Sequence, residues 1–213
     1  MFKTGSVQSS LKESLDGVPN EFLIFDRCNG KLLHRIPYEA RFFFNHIIAS
    51  REEGAILKID LIEIDRLEDR ISLPKSFKER NHMMGGPVRY QLDLHHKEVR
   101  RIPIWEGVAC EMPYKEDLNE PYGFANYFQD TNVRQRIGIC SIYDQQFWLP
   151  EDDWQVFSSP VVSQGVVMVL TTSPDLKRQR FVAIKSDDFS VIATSELPFR
   201  VGSLAHGTWF GRG

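Results

Sequence analysis

The chain has 213 residues, of which 42% are hydrophobic and 26% charged. That balance provides for a core in one large domain or two small ones, and it excludes disorder and collagen-like structure. With 26 Lys plus Arg against 29 Asp plus Glu the net charge is -3, so no basic excess points to a nucleic-acid partner.

Residues 1–18 read as a flexible polar lead-in, with no apolar centre of the kind a secretory signal requires. Residues 19–213 read as one domain of short strands. Phe22 to Phe25 is a compact apolar run closed by Asp26-Arg27-Cys28-Asn29-Gly30, where Asn-Gly signals a hairpin. Ala55 to Asp65 alternates, with Leu57, Ile59 and Leu61 on one face and Lys58 and Asp60 on the other. The phase slips at Leu61-Ile62, which predicts a bulge or bend in that strand. Pro74 to Met84 has the pattern of one short helix. Pro87 to His95 is the clearest strand, with Val88, Tyr90, Leu92 and Leu94 facing one way and Arg89, Gln91 and Asp93 the other.

Further strands are expected over 99–104, 107–112, 138–143, 166–172, 180–185 and 191–196. Turn clusters at Met84-Gly85-Gly86-Pro87, Ser173-Pro174-Asp175 and Ser186-Asp187-Asp188 separate some of them. The longest apolar runs, such as Val166 to Leu170, are far shorter than a membrane span. Many short strands at fairly even spacing predict an all-β sandwich, barrel or propeller, and periodicity alone does not choose among them. Cys28, Cys110 and Cys140 are odd in number and widely spaced. They form no disulfide framework or zinc pattern, and a reducing, cytoplasmic compartment is expected. No phosphate loop, Gly-x-Ser-x-Gly or His-Glu-x-x-His occurs, so nucleotide binding and serine or zinc hydrolysis have no support.

Four blocks, taken in order, resemble the carotenoid cleavage oxygenases, a family that includes the animal carotene oxygenases and the retinoid isomerohydrolase. The first is Glu21 to Gly30. The second is Phe42-Phe43-Phe44-Asn45-His46, continuing through the acidic pair Glu52-Glu53 into the strand Ala55 to Asp60. The third is Cys110-Glu111-Met112-Pro113 followed by the aromatic stretch Tyr122 to Phe128. The fourth is Leu197 to Val201 continuing to His206-Gly207-Thr208-Trp209-Phe210. Ile48 departs from the family pattern, which has Asn there.

The resemblance implies the C-terminal half of a seven-bladed β-propeller, whose complete form holds Fe(II) on its axis with four His. It implies His46 and His206 as two iron ligands and Glu111 as the carboxylate that orients His46, with the other two ligands belonging to a half not present in this sequence. The usual partner of His206 is a glutamate at the position of Trp154; Asp152 and Asp153 are the nearest carboxylates, out of register. It also implies O₂-dependent cleavage of a carotenoid or apocarotenoid, with peripheral membrane contact and self-association through open blade edges as further expectations. Phe42, Phe43, Phe44, Tyr122, Phe124, Tyr127 and Trp148 read individually as blade-core residues, a few of which could line an apolar tunnel.

Read without the resemblance, His46 behind three Phe is a core or rim residue and His206 a turn residue. A buried Glu111 requires a partner on either reading. His95-His96 read as solvated turn residues, and His34 and His82 as surface positions. Two functional readings follow: an oxygenase, unable to turn over as this chain alone, or a non-catalytic propeller half serving as a binding module.

Overall fold

The computed structural model describes residues 20–40, 42–64, 85–114, 123–130 and 135–201. The expected lead-in over 1–18, the short helix over 74–84, and Tyr122, His82 and His206 lie outside these residues. The described residues are all strand, turn and loop, and no helix among them is long and apolar enough to cross a membrane.

Among the described residues fifteen strands form four antiparallel sheets. β1 (Asn20–Phe25) and β2 (Leu32–Tyr38) make the first. β3 (Phe43–Glu53), β4 (Ile56–Ile64), β5 (Gly86–Asp93) and β6 (Glu98–Pro103) make the second. β7 (Cys110–Tyr114), β8 (Phe124–Asp130), β9 (Gln135–Ser141) and β10 (Gln146–Trp148) make the third. β11 (Gln155–Val156), β12 (Val161–Ser163), β13 (Val166–Thr172), β14 (Gln179–Lys185) and β15 (Val191–Glu196) make the fourth. Strand neighbours in the second and third sheets follow chain order, so each of these sheets is a simple meander.

The sheets pack face to face in sequence through three apolar cores. Ile36 of β2 meets Leu61, Val88, Tyr90 and Leu92 between the first and second sheets. Ile48 and Ile62 meet Cys110, Ala125, Cys140 and Ile142 between the second and third. Phe124 and Ile139 meet Val156, Val167, Val169, Val182 and Ile184 between the third and fourth. The two middle sheets are thereby covered on both faces, as blades of a propeller are, and the fold is all-β of that kind.

The register explains where sequence patterns held and where they did not. β5 alternates as expected, with Val88, Tyr90 and Leu92 buried. β4 is different. Its pairing with β5 runs without interruption from Ile56 opposite Asp93 to Glu63 opposite Gly86, so the slip at Leu61-Ile62 is not a bulge in β4. A central strand with both faces covered has no need to alternate, and residues 60–64 are all buried.

The bulges lie in the partner strand instead. Phe44 pairs with Glu63 and His46 with Ile62; Ile47 pairs with Leu61 and Ala49 with Asp60. Asn45 and Ile48 are each one residue in excess of β4. These interruptions hide β3 from a period-2 pattern. The Asn29-Gly30 hairpin exists, but as a longer loop. Asp26 Oδ1 accepts the Cys28 and Asn29 N–H groups at 2.7 and 3.3 Å, and Gly30 takes φ +71°, a conformation that favours glycine.

Candidate functional site

His46 and Glu111 come from different sheets and meet. Adjacent residues of β4 point to opposite faces, and Phe44 sits opposite Glu63 while His46 sits opposite Ile62. The extra residue Asn45 therefore turns His46 to the face opposite Phe44. On that face Ile62 packs against the third sheet, and there His46 Nε2 lies 3.2 Å from Glu111 Oε2. Without the bulge, simple alternation would put His46 on the Phe44 side. Re-aiming a side chain is what bulges beside functional sites do.

Glu111 lies near the start of β7, where Met112 takes φ +52° and the register with β8 breaks. The Met112 N–H donates to Glu111 Oε2 at 3.2 Å. The carboxylate side chain is 6% exposed and the imidazole 27%. A buried carboxylate holding an imidazole at the edge of solvent fixes which ring nitrogen carries the proton and how the ring points.

Asn126 stands opposite Glu111 in the β7–β8 ladder and is 4% exposed. Its Nδ2 contacts Met112 Sδ at 3.8 Å, while its Oδ1 has no hydrogen-bond partner among the described residues. A buried amide oxygen left without a donor costs about 1–3 kcal/mol.

A second polar contact crosses the same two sheets. Tyr143, in the turn between β9 and β10, donates its hydroxyl to Asp60 Oδ2 at 2.7 Å. Arg89 of β5 clasps Asp60 with Nε to Oδ1 at 2.7 Å and NH2 to Oδ2 at 2.8 Å. The hydrogen bond to Asp60, reinforced by its charge, raises the Arg89 pKa against the opposing effect of burial. Burial, and then the hydrogen bond to Asp60, raise that of Tyr143. On the other face of β4, Glu63 accepts hydrogen bonds from Tyr90 and from Arg101, the latter at 2.9 Å to Oε1.

Other positions named from the sequence lie in turns and cores among the described residues. Trp154 is buried, with the Arg180 guanidinium 4.2 Å and that of Arg178 5.4 Å from its ring centroid. The two guanidinium groups form a cation–aromatic stack on it. Asp152 and Asp153 sit in a turn, both at positive φ. His95 and His96 lie in the β5–β6 turn, where Asp93 accepts both backbone N–H groups and holds His96 Nδ1 at 2.9 Å. His34 is half-buried on β2.

Among the tunnel candidates, Phe42 stacks on Tyr90 with centroids 4.7 Å apart and packs in the first core. Phe124 packs edge-on to Phe189 in the third. Tyr127 stacks on Phe147 at 4.8 Å, Trp148 packs on the third core, and Phe43 and Phe44 are exposed on β3.

Sequence reasoning did not single out Asp60, Tyr143 or Asn126 as site residues. An aspartate within an apolar strand announces a buried charge that needs a partner. Nothing in the sequence says that the partner is a tyrosine in a distant turn.

The Fe(II) expected from the resemblance needs several ligands. Among the described residues no group of three or more His, Cys, Asp or Glu is placed to hold a metal ion. What these residues offer such a group is one imidazole in contact with a buried carboxylate, with Asn126, whose Oδ1 has no partner among the described residues, opposite Glu111 in the ladder.

The family model of the retinal pigment epithelial membrane protein, RPE65, matches residues 4–211, and the chain belongs to that family. Solved structures of related fold include cobalt-substituted Synechocystis ACO, at 19% identity and a TM-score of 0.69, covering 91% of this chain and 44% of that one. An ACO/RPE65 chimera is 18% identical with a TM-score of 0.68, over 91% of this chain and 44% of its own. A Synechocystis apocarotenoid oxygenase variant gives 18% and 0.68 over the same shares. The chain thus spans less than half the length of these structures. No curated protein matches it.

Proposed function

We propose that the chain is the C-terminal portion of a carotenoid- or apocarotenoid-cleaving oxygenase, with His46 and His206 as iron ligands and Glu111 as the residue that positions His46. The observation that carries this reading is the 3.2 Å contact between His46 and Glu111 across two sheets, in a chain of the RPE65 family. Fe(II), when bound, supplies the activation of O₂ for cleaving a conjugated double bond into two carbonyl products.

The chain's own residues do the rest. Glu111 Oε2 accepts a hydrogen bond from the Nε2–H of His46, which leaves the Nδ1 lone pair as the donor for a metal. The Met112 N–H holds the same carboxylate oxygen, so the ring follows a carboxylate fixed by backbone. The apolar core between the second and third sheets keeps water from the back of the pair. Peripheral membrane contact, cytoplasmic placement and self-association belong to this reading as further proposals.

One observation favours the second reading, a non-catalytic propeller half. Trp154 stacks under Arg180 where the family resemblance calls for a glutamate to orient His206. An outer carboxylate lost from a metal site typically lowers metal affinity or activity about 10–100-fold. This chain alone is accordingly expected not to turn over.

The test is iron content by elemental analysis of the purified chain, beside His46→Ala, His206→Ala and Glu111→Gln. Near-stoichiometric iron that is lost in both His variants and reduced in Glu111→Gln supports the oxygenase reading. A wild-type chain without iron in Fe(II)-replete, anaerobic preparation overturns the metal site and leaves the binding module.

A further inference from the structure

The His46–Glu111 contact spans two sheets, so it depends on how those sheets are held at that level. The Asp60–Tyr143 hydrogen bond joins the same two sheets. Three observations tie it to His46. First, Asp60 pairs with Ala49, the residue immediately after the excess residue Ile48 and three after His46. Second, Ile48 and the Tyr143 ring meet over Gly123. A Cβ built there would stand 3.3 Å from Ile48 Cγ2 and 3.1 Å from Tyr143 Cε2, so both side chains lean on a space that only glycine leaves. Third, Asp60 is itself immobilised, clasped at both oxygens by Arg89 from the neighbouring strand. A bidentate guanidinium–carboxylate pair fixes direction as well as charge.

The parts form a chain of contacts. Arg89 fixes Asp60, Asp60 fixes the Tyr143 hydroxyl, and the Tyr143 ring meets Ile48 where the bulged strand turns His46 toward Glu111. A bulge is locally unpaired in the ladder and needs support from side chains outside it.

We propose that Asp60, Arg89 and Tyr143 are positioning residues for His46, setting its ring against Glu111 through Ile48 and the Gly123 gap. The inference rests on the reading of His46 and Glu111 as the functional pair.

The test uses the full chain with ¹⁵N-labelled histidine. Long-range ¹H–¹⁵N spectra report which ring nitrogen of His46 carries the proton and whether the ring is held, with His46→Ala giving the assignment. Co(II) titration of the same samples reports metal affinity. Tyr143→Phe removes only the hydroxyl. Gly123→Ala leaves every polar group in place and pushes on Ile48 and Tyr143. Val182→Ala, in the third core, is the control for a general loss of stability.

The expected result is a single His46 tautomer in the wild type, shifted or broadened signals in Tyr143→Phe and Gly123→Ala, and Co(II) affinity about ten-fold weaker in both. Val182→Ala is expected to lower Tm and leave the His46 signals in place. Unchanged His46 signals in Gly123→Ala, or in a folded Tyr143→Phe, overturn the inference, as does an equal disturbance by Val182→Ala. A wild-type chain that binds no Co(II), with His46 signals that still move in the two variants, overturns the metal reading and keeps the positioning device.

Discussion

At the scale of single residues the chain separates its histidines by what surrounds them. His46 meets a buried carboxylate between two sheets, whereas His96 meets Asp93 in open solvent. The second pair makes a pH prediction. Hydrogen bonding to Asp93 raises the His96 pKa above its ordinary 6.5, and the backbone and ring N–H groups of His96 lower that of Asp93 to about 2. The His96 contribution to stability is fully present below pH 6.5 and is lost as pH rises through the raised value. The Asp93 contribution is present above its ordinary 3.8 and is lost as pH falls toward 2. Asp93→Asn is expected to return the His96 titration, followed by NMR, to its ordinary range; a titration that does not move removes the pairing.

At the scale of strands, glycine marks where backbones approach. Gly138 of β9 faces the β10 end so closely that an added Cβ would stand 2.0 Å from the Trp148 carbonyl oxygen and 2.8 Å from Leu149 Cδ2. Backbone cannot yield as a long side chain does. Gly138→Ala is expected to destabilise the fold by about 3 kcal/mol or more, read as a lower urea midpoint with unchanged slope. A midpoint within error of the wild type would show that the two strands are free to separate.

The strands also show what was legible in the sequence. β5 was legible because one face meets a core and the other carries Arg89, Gln91 and Asp93. β13 and β15 match their expected limits, since Gly, Pro and Asp punctuate them. β3 was not legible as a strand, because Asn45 and Ile48 each break its period. The slip within residues 55–65 was visible but marked a strand buried on both faces, and the bulges lie across the ladder in β3. Glu111 could be marked as needing a partner, and the family pattern named His46. The Asp60–Tyr143 contact could not be read, because it depends on two sheets already being stacked.

At the scale of the whole molecule, the first sheet has two strands where the middle sheets have four. Its inner face is covered by the first core, and its outer face leaves Leu23 43%, Phe25 54% and Leu33 51% exposed. At the other end β15 is exposed along its whole length, with Val191 and Ile192 each at 51%. Exposed apolar residues on edge strands are templates for pairing with another chain, so any association of this chain is expected to run through them. Leu23→Lys together with Phe25→Glu is expected to lower self-association in sedimentation velocity at rising concentration without changing Tm by more than a few degrees. Association equal to the wild type would move the sticky surface away from the first sheet.

The stacking order has one more effect. His46 and Glu111 occupy the central joint of four layers, with a cushioned leaf on each side, while the first leaf has apolar side chains in water and the last has its edge strand exposed. Fraying starts where a layer has least cover, so the ends peel first and the imidazole–carboxylate contact outlasts them. An intact His46 signal therefore vouches for the innermost joint alone, and a partly opened chain can carry a well-formed pair at its heart.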